Sequence, residues 1–216
     1  MTRTSGSRPA DRLLVLVRHG ATTWNAEGRF TTRSDVELSP EGAERAAEAA
    51  RELAAAVAVD RVVCSPLLRA RATGEAIAAA ASGPPPVTVD DRLREIDAGP
   101  FEGLTGAEIE SGPLADEFHR WRSETDPIWP DGAEPYESAV ARARSFFDDV
   151  RDLPGTTVAA THGSLARVLV AAVVLGVNPG LHRRMWLDHC HCAVVALDES
   201  PPRLVALNVA TRNIGV

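Results

Sequence analysis

The chain has 216 residues, is 44% hydrophobic and 25% charged, and carries a formal net charge of -7. A chain of this size and make-up fits one soluble globular domain that buries roughly 70% of the surface its unfolded state exposes, which excludes disorder for the bulk. The negative balance argues against a nucleic-acid coat or a basic membrane face, so neither partner is expected and any bound anion needs a local positive pocket. All 23 basic residues are arginine, which leaves lysine Schiff-base chemistry and P-loop chemistry without their reagent. Three cysteines, Cys64, Cys190 and Cys192, are too few for a disulfide framework, so a reducing compartment, the cytoplasm, is expected. The longest apolar stretch, Val168 to Val177, has ten residues, about half of the roughly 20 that span a bilayer, and the N-terminus shows no apolar signal segment.

Met1 to Asp11 is polar and aperiodic and reads as a flexible tail, with one domain over residues 12–216. Leu13 to Val17 is an unbroken aliphatic run, the pattern of a strand covered on both faces, and it stops at Arg18-His19-Gly20. Ser39-Pro40-Glu41 supplies an N-cap, a first-turn proline and an early acid. The helix it opens has Ala43, Ala46, Ala47, Ala50, Leu53, Ala54 and Val57 on one face. Arg61 to Cys64 is a short strand, and Ser65-Pro66 repeats the cap-plus-proline signal before a helix bearing Arg69 and Arg71. Ala81 to Pro86 is a connector into the extended Val87 to Val89. After a loop-rich middle, Tyr136 to Val150 reads as a helix and Thr157 to Thr161 as a third buried strand, ending at His162-Gly163-Ser164 before a helix from about Leu165 to Leu175. Ala193 to Leu197 and Leu204 to Val209 suggest two last strands around the turn Ser200-Pro201-Pro202. Strands alternating with helices predict an α/β three-layer sandwich, a mostly parallel central sheet flanked by helices on both faces, with ligands beyond the carboxyl ends of the strands.

That rule gathers Arg18, His19, Arg69 and His162 at one edge. A neutral imidazole attacks electrophiles, and an arginine beside it never serves as base, so the electrophile should be anionic. A phosphoryl group fits, since guanidinium forks bind its oxygens and neutralise charge as the bond breaks. His162, at a helix start, adds a donor beside that helix's free N-H groups. A leaving alkoxide needs a proton. Glu95 is the chosen donor, with Glu102, Asp97 and Asp91 as rivals. The arginines take the place of a cation, so no metal and no cofactor is expected.

The motifs resemble those of the histidine phosphatase superfamily, also called phosphoglycerate mutase-like. Leu16-Val17-Arg18-His19-Gly20 is followed by Thr22, Trp24 and Asn25, then by Gly28-Arg29, Asp35 and Leu38-Ser39-Pro40-Glu41-Gly42. Next come Ser65-Pro66-Leu67 with Arg69-Ala70 and Thr73, Leu93-Arg94-Glu95 with Gly99 and Phe101-Glu102-Gly103, and finally Thr161-His162-Gly163. The resemblance covers about residues 13 to 210. It implies that His19 becomes phosphorylated, that Arg18, Arg69 and His162 hold the phosphoryl group, and that Glu95 donates the proton and then activates water. It also implies that Asn25 and Thr31 line the pocket and that Gly163 offers a backbone N-H. Ala21 and Thr31-Thr32 depart from the residues common in the family, which bears on leaving-group preference. The cofactor-dependent mutases of the family carry a longer insertion, rich in basic residues and tyrosine. Glu102 to Pro130 is short and has neither feature, which favours transfer to water.

The expectation is therefore a phosphatase acting on a small phosphate ester, with a mutase as the alternative and a non-catalytic phosphometabolite-binding protein as a third reading. Oligomeric state stays open, a homodimer being allowed. His189-Cys190-His191-Cys192 resembles a metal cluster, but strand alternation would split histidines and cysteines between two faces. His189 opens a strand on this reading and can face the pocket, with packing or a plain hydrogen bond as the favoured role. Cys64 lacks the arginine of a C-x5-R phosphate loop, since position 70 is alanine. Trp121, Trp129 and Trp186 are expected in the core or the pocket wall.

Overall fold

The computed structural model describes residues 12–123 and 130–214, so the expected tail and Trp129 lie outside the described residues. The first aliphatic run forms β1 (Leu13–Arg18). Leu14 and Leu16 join one core and Leu13, Val15 and Val17 another. Successive side chains of a strand point to opposite faces, so a strand apolar throughout must be covered twice. After a single helical turn, α1 (Thr23–Ala26), comes α2 (Pro40–Ala56), whose N-cap Ser39 Oγ accepts the Gly42 N-H at 3.0 Å. Its buried stripe is Gly42, Ala46, Ala49, Ala50 and Leu53, while Ala43, expected inside, is exposed. The rotation follows from Gly42. A Cβ there would lie 2.0 Å from the Ala21 carbonyl oxygen, so the helix meets β1's exit loop along its glycine side.

Strand β2 (Arg61–Cys64) leads to α3 (Leu68–Ala80) and then β3 (Val87–Val89). The Ser65-Pro66 cap is a correction: α3 starts after Leu67 with no side-chain cap. The expected loop-rich middle contains α4 (Gly106–Glu110) and α5 (Ala115–Ser123). These helices are too short for periodicity to reveal, although Thr105 and Glu108 form a capping box visible in the sequence. They support a small aromatic cluster of Phe101, Ile109 and Phe118, against which Phe30 and Trp121 pack. Each fully buried phenylalanine contributes about 1.5–3 kcal/mol, enough for a lobe that has no sheet of its own. Trp186, expected in the core or pocket wall, is 68% exposed.

Helix α6 (Tyr136–Val150) matches its expected bounds, and β4 (Thr156–Thr161) is buried at every position. It runs into α7 (Gly163–Val168), which continues as a π-helical stretch over Leu169–Val174. Strands β5 (His191–Ala196) and β6 (Arg203–Ala210) close the sheet in antiparallel pairs. The strand order is β3-β2-β4-β1-β5-β6, parallel across the first four strands. Helices α6 and α7 cover one face through Phe146, Phe147 and Leu165, and α2 and α3 cover the other through Leu53 and Ile77. The three-layer, mostly parallel sandwich is thus the observed fold. Among the described residues no helix is long and apolar enough to cross a membrane.

Candidate active site

Strand register explains why the two histidines meet. β1 and β4 are parallel neighbours with Arg18 beside Thr161, so His19 and His162, one step further on, are also adjacent. The His19 N-H donates to the Thr161 carbonyl at 3.0 Å, and the two rings are 5.1 Å apart. β2 flanks β4 on its other side, with Cys64 beside Ala160. The next residue, Ser65, therefore reaches His162, with its Oγ 2.8 Å from Nε2. Sequence reasoning gave Ser65 a local capping role and missed this contact.

His19 Nδ1 lies 2.7 Å from the Gly20 carbonyl and Nε2 lies 3.3 Å from Arg69 Nε. A carbonyl only accepts and a guanidinium only donates, so the proton sits on Nδ1 and the lone pair on Nε2. Burial first, then Arg69 and Arg18, hold the His19 imidazole well below its ordinary pKa, and it is neutral at pH 7. His162 is fully buried and is pushed the same way by burial, His19 and Arg69. Its Nδ1 is buried with no partner among the described residues.

Arg69 projects from the first turn of α3 and is fully buried. It donates to the carbonyls of Ser34 at 2.8 Å, Thr32 at 2.9 Å and Thr31 at 3.2 Å. The loop that supplies them is fixed by Glu102, whose carboxylate accepts the Thr32 and Ser34 N-H groups at 2.8 Å and the Thr32 hydroxyl. Burial works against the charged form of Glu102, but these bonds outweigh it and hold the pKa below the ordinary value. The expected rival for proton donation is therefore engaged in shaping the loop. Arg18 donates to the Leu187 carbonyl at 2.8 Å and to His189 Nε2 at 2.9 Å, while its Nε is buried without a partner among the described residues. It lies over Gly163, where a Cβ would come within 3.3 Å of Nε.

Glu95 sits at the start of α7. Its oxygens accept the N-H groups of Ser164 and Leu165, both at 3.0 Å, and of Ile96 at 2.9 Å. Two of the N-H groups that a helix leaves unpaired at its start are thereby satisfied. The segment carrying Glu95 is held by the Thr161 hydroxyl, 2.8 Å from the Leu93 carbonyl, and by Arg142 on α6. Arg142 grips Glu134 through two nitrogens and donates to the carbonyls of Arg92 and Arg94, each at 2.7 Å. Burial works against the charged forms of Arg18 and Arg69, and among carboxylates Glu95 does most to offset it for both. Of the remaining expected residues, Asn25 uses its Oδ1 in the capping box of α1 with Thr22, and Thr31 contributes its carbonyl to Arg69.

His189, expected to open a strand, lies instead in the turn before β5, and its ring is 5.5 Å from that of His19. The alternation argument for the His189–Cys192 run therefore covers only its last two residues. Among the described residues no group of three or more His, Cys, Asp or Glu side chains is arranged to hold a metal ion.

Two imidazoles enclosed by guanidinium groups thus lie at the carboxyl edge of a mostly parallel sheet, the edge at which ligands of open α/β proteins bind. The profile of the histidine phosphatase superfamily (branch 1) matches residues 14–210, and the chain belongs to that superfamily. It is 37% identical over 185 residues to a 2,3-bisphosphoglycerate-dependent phosphoglycerate mutase of Beijerinckia indica subsp. indica, covering 82% of this chain and 88% of that protein. It is 31% identical over 199 residues to phosphoserine phosphatase 1 of Hydrogenobacter thermophilus, covering 91% and 92%. Its fold is similar to that of the alpha-ribazole phosphatase of Shigella flexneri, with a TM-score of 0.81 at 22% identity, over 94% of this chain and 98% of the other.

Proposed function

We propose that the protein is a metal-independent phosphomonoester hydrolase that acts on a small phosphorylated metabolite through a phosphohistidine intermediate. The reading rests on the contact of His19 Nδ1 with the Gly20 carbonyl, which puts the proton on Nδ1 and the attacking lone pair on Nε2, beside the Arg69 Nε–H. In the first step Nε2 bonds to phosphorus and the ester P–O bond breaks. The Arg69 Nε–H, held in place beside Nε2 by the carbonyls on its two terminal nitrogens, passes its hydrogen bond from His19 to a phosphoryl oxygen, joined by Arg18 and by His162 Nδ1, while the Gly163 N-H adds a backbone donor. Glu95, as the acid, gives its proton to the leaving oxygen. In the second step the Glu95 carboxylate takes a proton from water, the water oxygen attacks phosphorus, the Nε2–P bond breaks and inorganic phosphate leaves. Charge neutralisation by guanidinium groups removes the need for a divalent ion.

The experiment is turnover on a panel of phosphate esters, including phosphoserine and 3-phosphoglycerate, by wild type and His19→Ala. Turnover in EDTA, with acid-labile phosphate on wild-type protein and neither in the variant, is the expected result. Full activity of His19→Ala, or a requirement for added magnesium, overturns the reading.

A mutase is the second reading, favoured by the identity to the Beijerinckia enzyme. It predicts 2-phosphoglycerate from 3-phosphoglycerate when 2,3-bisphosphoglycerate is supplied as primer. The hydrolase predicts inorganic phosphate with or without it.

A further inference from the structure

We propose that His189 is a positioning residue that holds the Arg18 guanidinium so that its Nε–H faces the phosphoryl group. The inference rests on the phosphohistidine reading, which gives Arg18 its ligand, and goes beyond it by assigning a role to a residue outside the superfamily motifs quoted above.

Arg18 carries donors on three nitrogens. One terminal nitrogen is tied to the Leu187 carbonyl at 2.8 Å and the other to His189 Nε2 at 2.9 Å. A guanidinium is planar, so fixing both ends fixes the direction of Nε. That nitrogen is buried with no partner among the described residues, beside Gly163 at the start of α7. A buried donor left unpaired is costly, so without the two tethers the side chain would turn to satisfy it. Leaving this N-H idle while the terminal nitrogens are paired is the arrangement expected where an incoming oxygen completes the set. His162 Nδ1, an imidazole nitrogen of the same site, is likewise buried with no partner among the described residues.

The acceptors are braced rather than floating. The Asp188 N-H donates to Asn208 Oδ1 at 2.7 Å, and Asn208 Nδ2 donates to Asp188 Oδ2 at 3.0 Å, which ties the strap between Leu187 and His189 to β6. The Cys190 N-H closes the turn on the Arg18 carbonyl at 3.0 Å. Both Cys190 and Asn208 hold left-handed backbone, at φ 58° and 56°, a conformation rarely adopted by residues other than glycine. Because Arg18 only donates, His189 Nε2 must accept, so the ring is neutral with its proton on Nδ1. Burial first, then Arg18, lowers its pKa to about 4, so the acceptor persists at neutral pH.

The test compares wild type, His189→Ala and His189→Gln for kcat, KM, inhibition by inorganic phosphate and melting temperature. The amide oxygen of glutamine reaches the place of Nε2 and accepts from the same nitrogen. With His189→Ala, kcat is expected to fall about 10- to 100-fold, more than KM rises, and phosphate inhibition to weaken, at a melting temperature close to wild type. With His189→Gln, kcat is expected to return to within about fivefold of wild type. An alanine variant within twofold of wild type in both kcat and phosphate inhibition, or a glutamine variant no better than alanine, overturns the proposal while leaving the hydrolase reading standing. A wild-type protein that hydrolyses no ester and takes no phosphate onto His19 overturns the hydrolase reading, and this role with it.

Discussion

Ser65 is the partner through which the protonation of His162 can be set. A neutral imidazole has one N-H, and it reaches an anion only from Nδ1, the atom with no partner among the described residues. A hydroxyl donates as well as accepts, so Ser65 Oγ, which accepts the Leu67 N-H at 3.4 Å, can give its own proton to Nε2 at 2.8 Å and leave the imidazole proton on Nδ1. Replacing Ser65 with alanine is expected to lower kcat/KM by about 10- to 100-fold, the usual scale when a group that orients a contacting side chain is lost. Ser65→Thr, which keeps the hydroxyl, is expected to recover most of it. Steady-state kinetics and the 15N shifts of the His162 ring check both statements. At this scale the sequence was informative about residue type and poor about partners. Arg18, His19, Arg69, Glu95 and His162 were legible because strand ends and motif order point to them. Ser65 and His162 are 97 positions apart, and Ser-Pro carries an equally good local explanation, so nothing in the sequence distinguished cap from tether. His189 was misread for a related reason: a short alternating polar and apolar run looks like a strand even when left-handed backbone at Cys190 makes it a turn.

Among elements, the contact that seats α2 against the exit of β1 is made by two glycines. A Cβ on Gly20 would stand 2.5 Å from the Gly42 carbonyl oxygen, and one on Gly42 would stand 2.0 Å from that of Ala21. Backbone cannot give way there as a flexible side chain would. Gly42→Ala is therefore expected to cost about 1–3 kcal/mol, the range for overpacking, and to reduce kcat as well, since the displaced segment carries His19. Urea denaturation and kinetics on the same variant test this, and a variant equal to wild type in both would show that α2 slides freely. The same contact explains why the buried face of α2 was only partly legible. Periodicity locates a stripe to within a residue or two, and it took a main-chain approach to choose Gly42 over Ala43. Helices α4 and α5 were invisible to periodicity because five and nine residues give too few turns.

For the molecule as a whole, burial of titratable groups sets the pH range of stability. His19, His162 and His189 all have folded-state pKa values below the ordinary histidine value. The unfolded chain then binds more protons than the folded one as soon as pH drops below about 6.5, so their contribution, complete above that point, is lost on acidification toward the folded values. Cys64 and Cys190 are raised to about 11 and Cys192 to about 12, chiefly by burial. Their contribution is complete below the unfolded thiol value and is lost as pH rises from about 8.5. Unfolding free energy measured by urea at pH 5, 7.5 and 10 is expected to be greatest at 7.5, and equal values at all three would contradict this account. The layered architecture was the most legible feature, because continuous aliphatic strands separated by capped amphipathic segments leave few alternatives. The rim of the site is built on a different principle. Arg69 is moored to main-chain oxygens of Thr31, Thr32 and Ser34, and every amino acid brings such an oxygen. The grip on the cation therefore asks nothing of the Thr31 side chain, whereas the Thr32 hydroxyl is committed to Glu102, so the rim can vary at Thr31 over evolutionary time without unfastening the guanidinium beneath it.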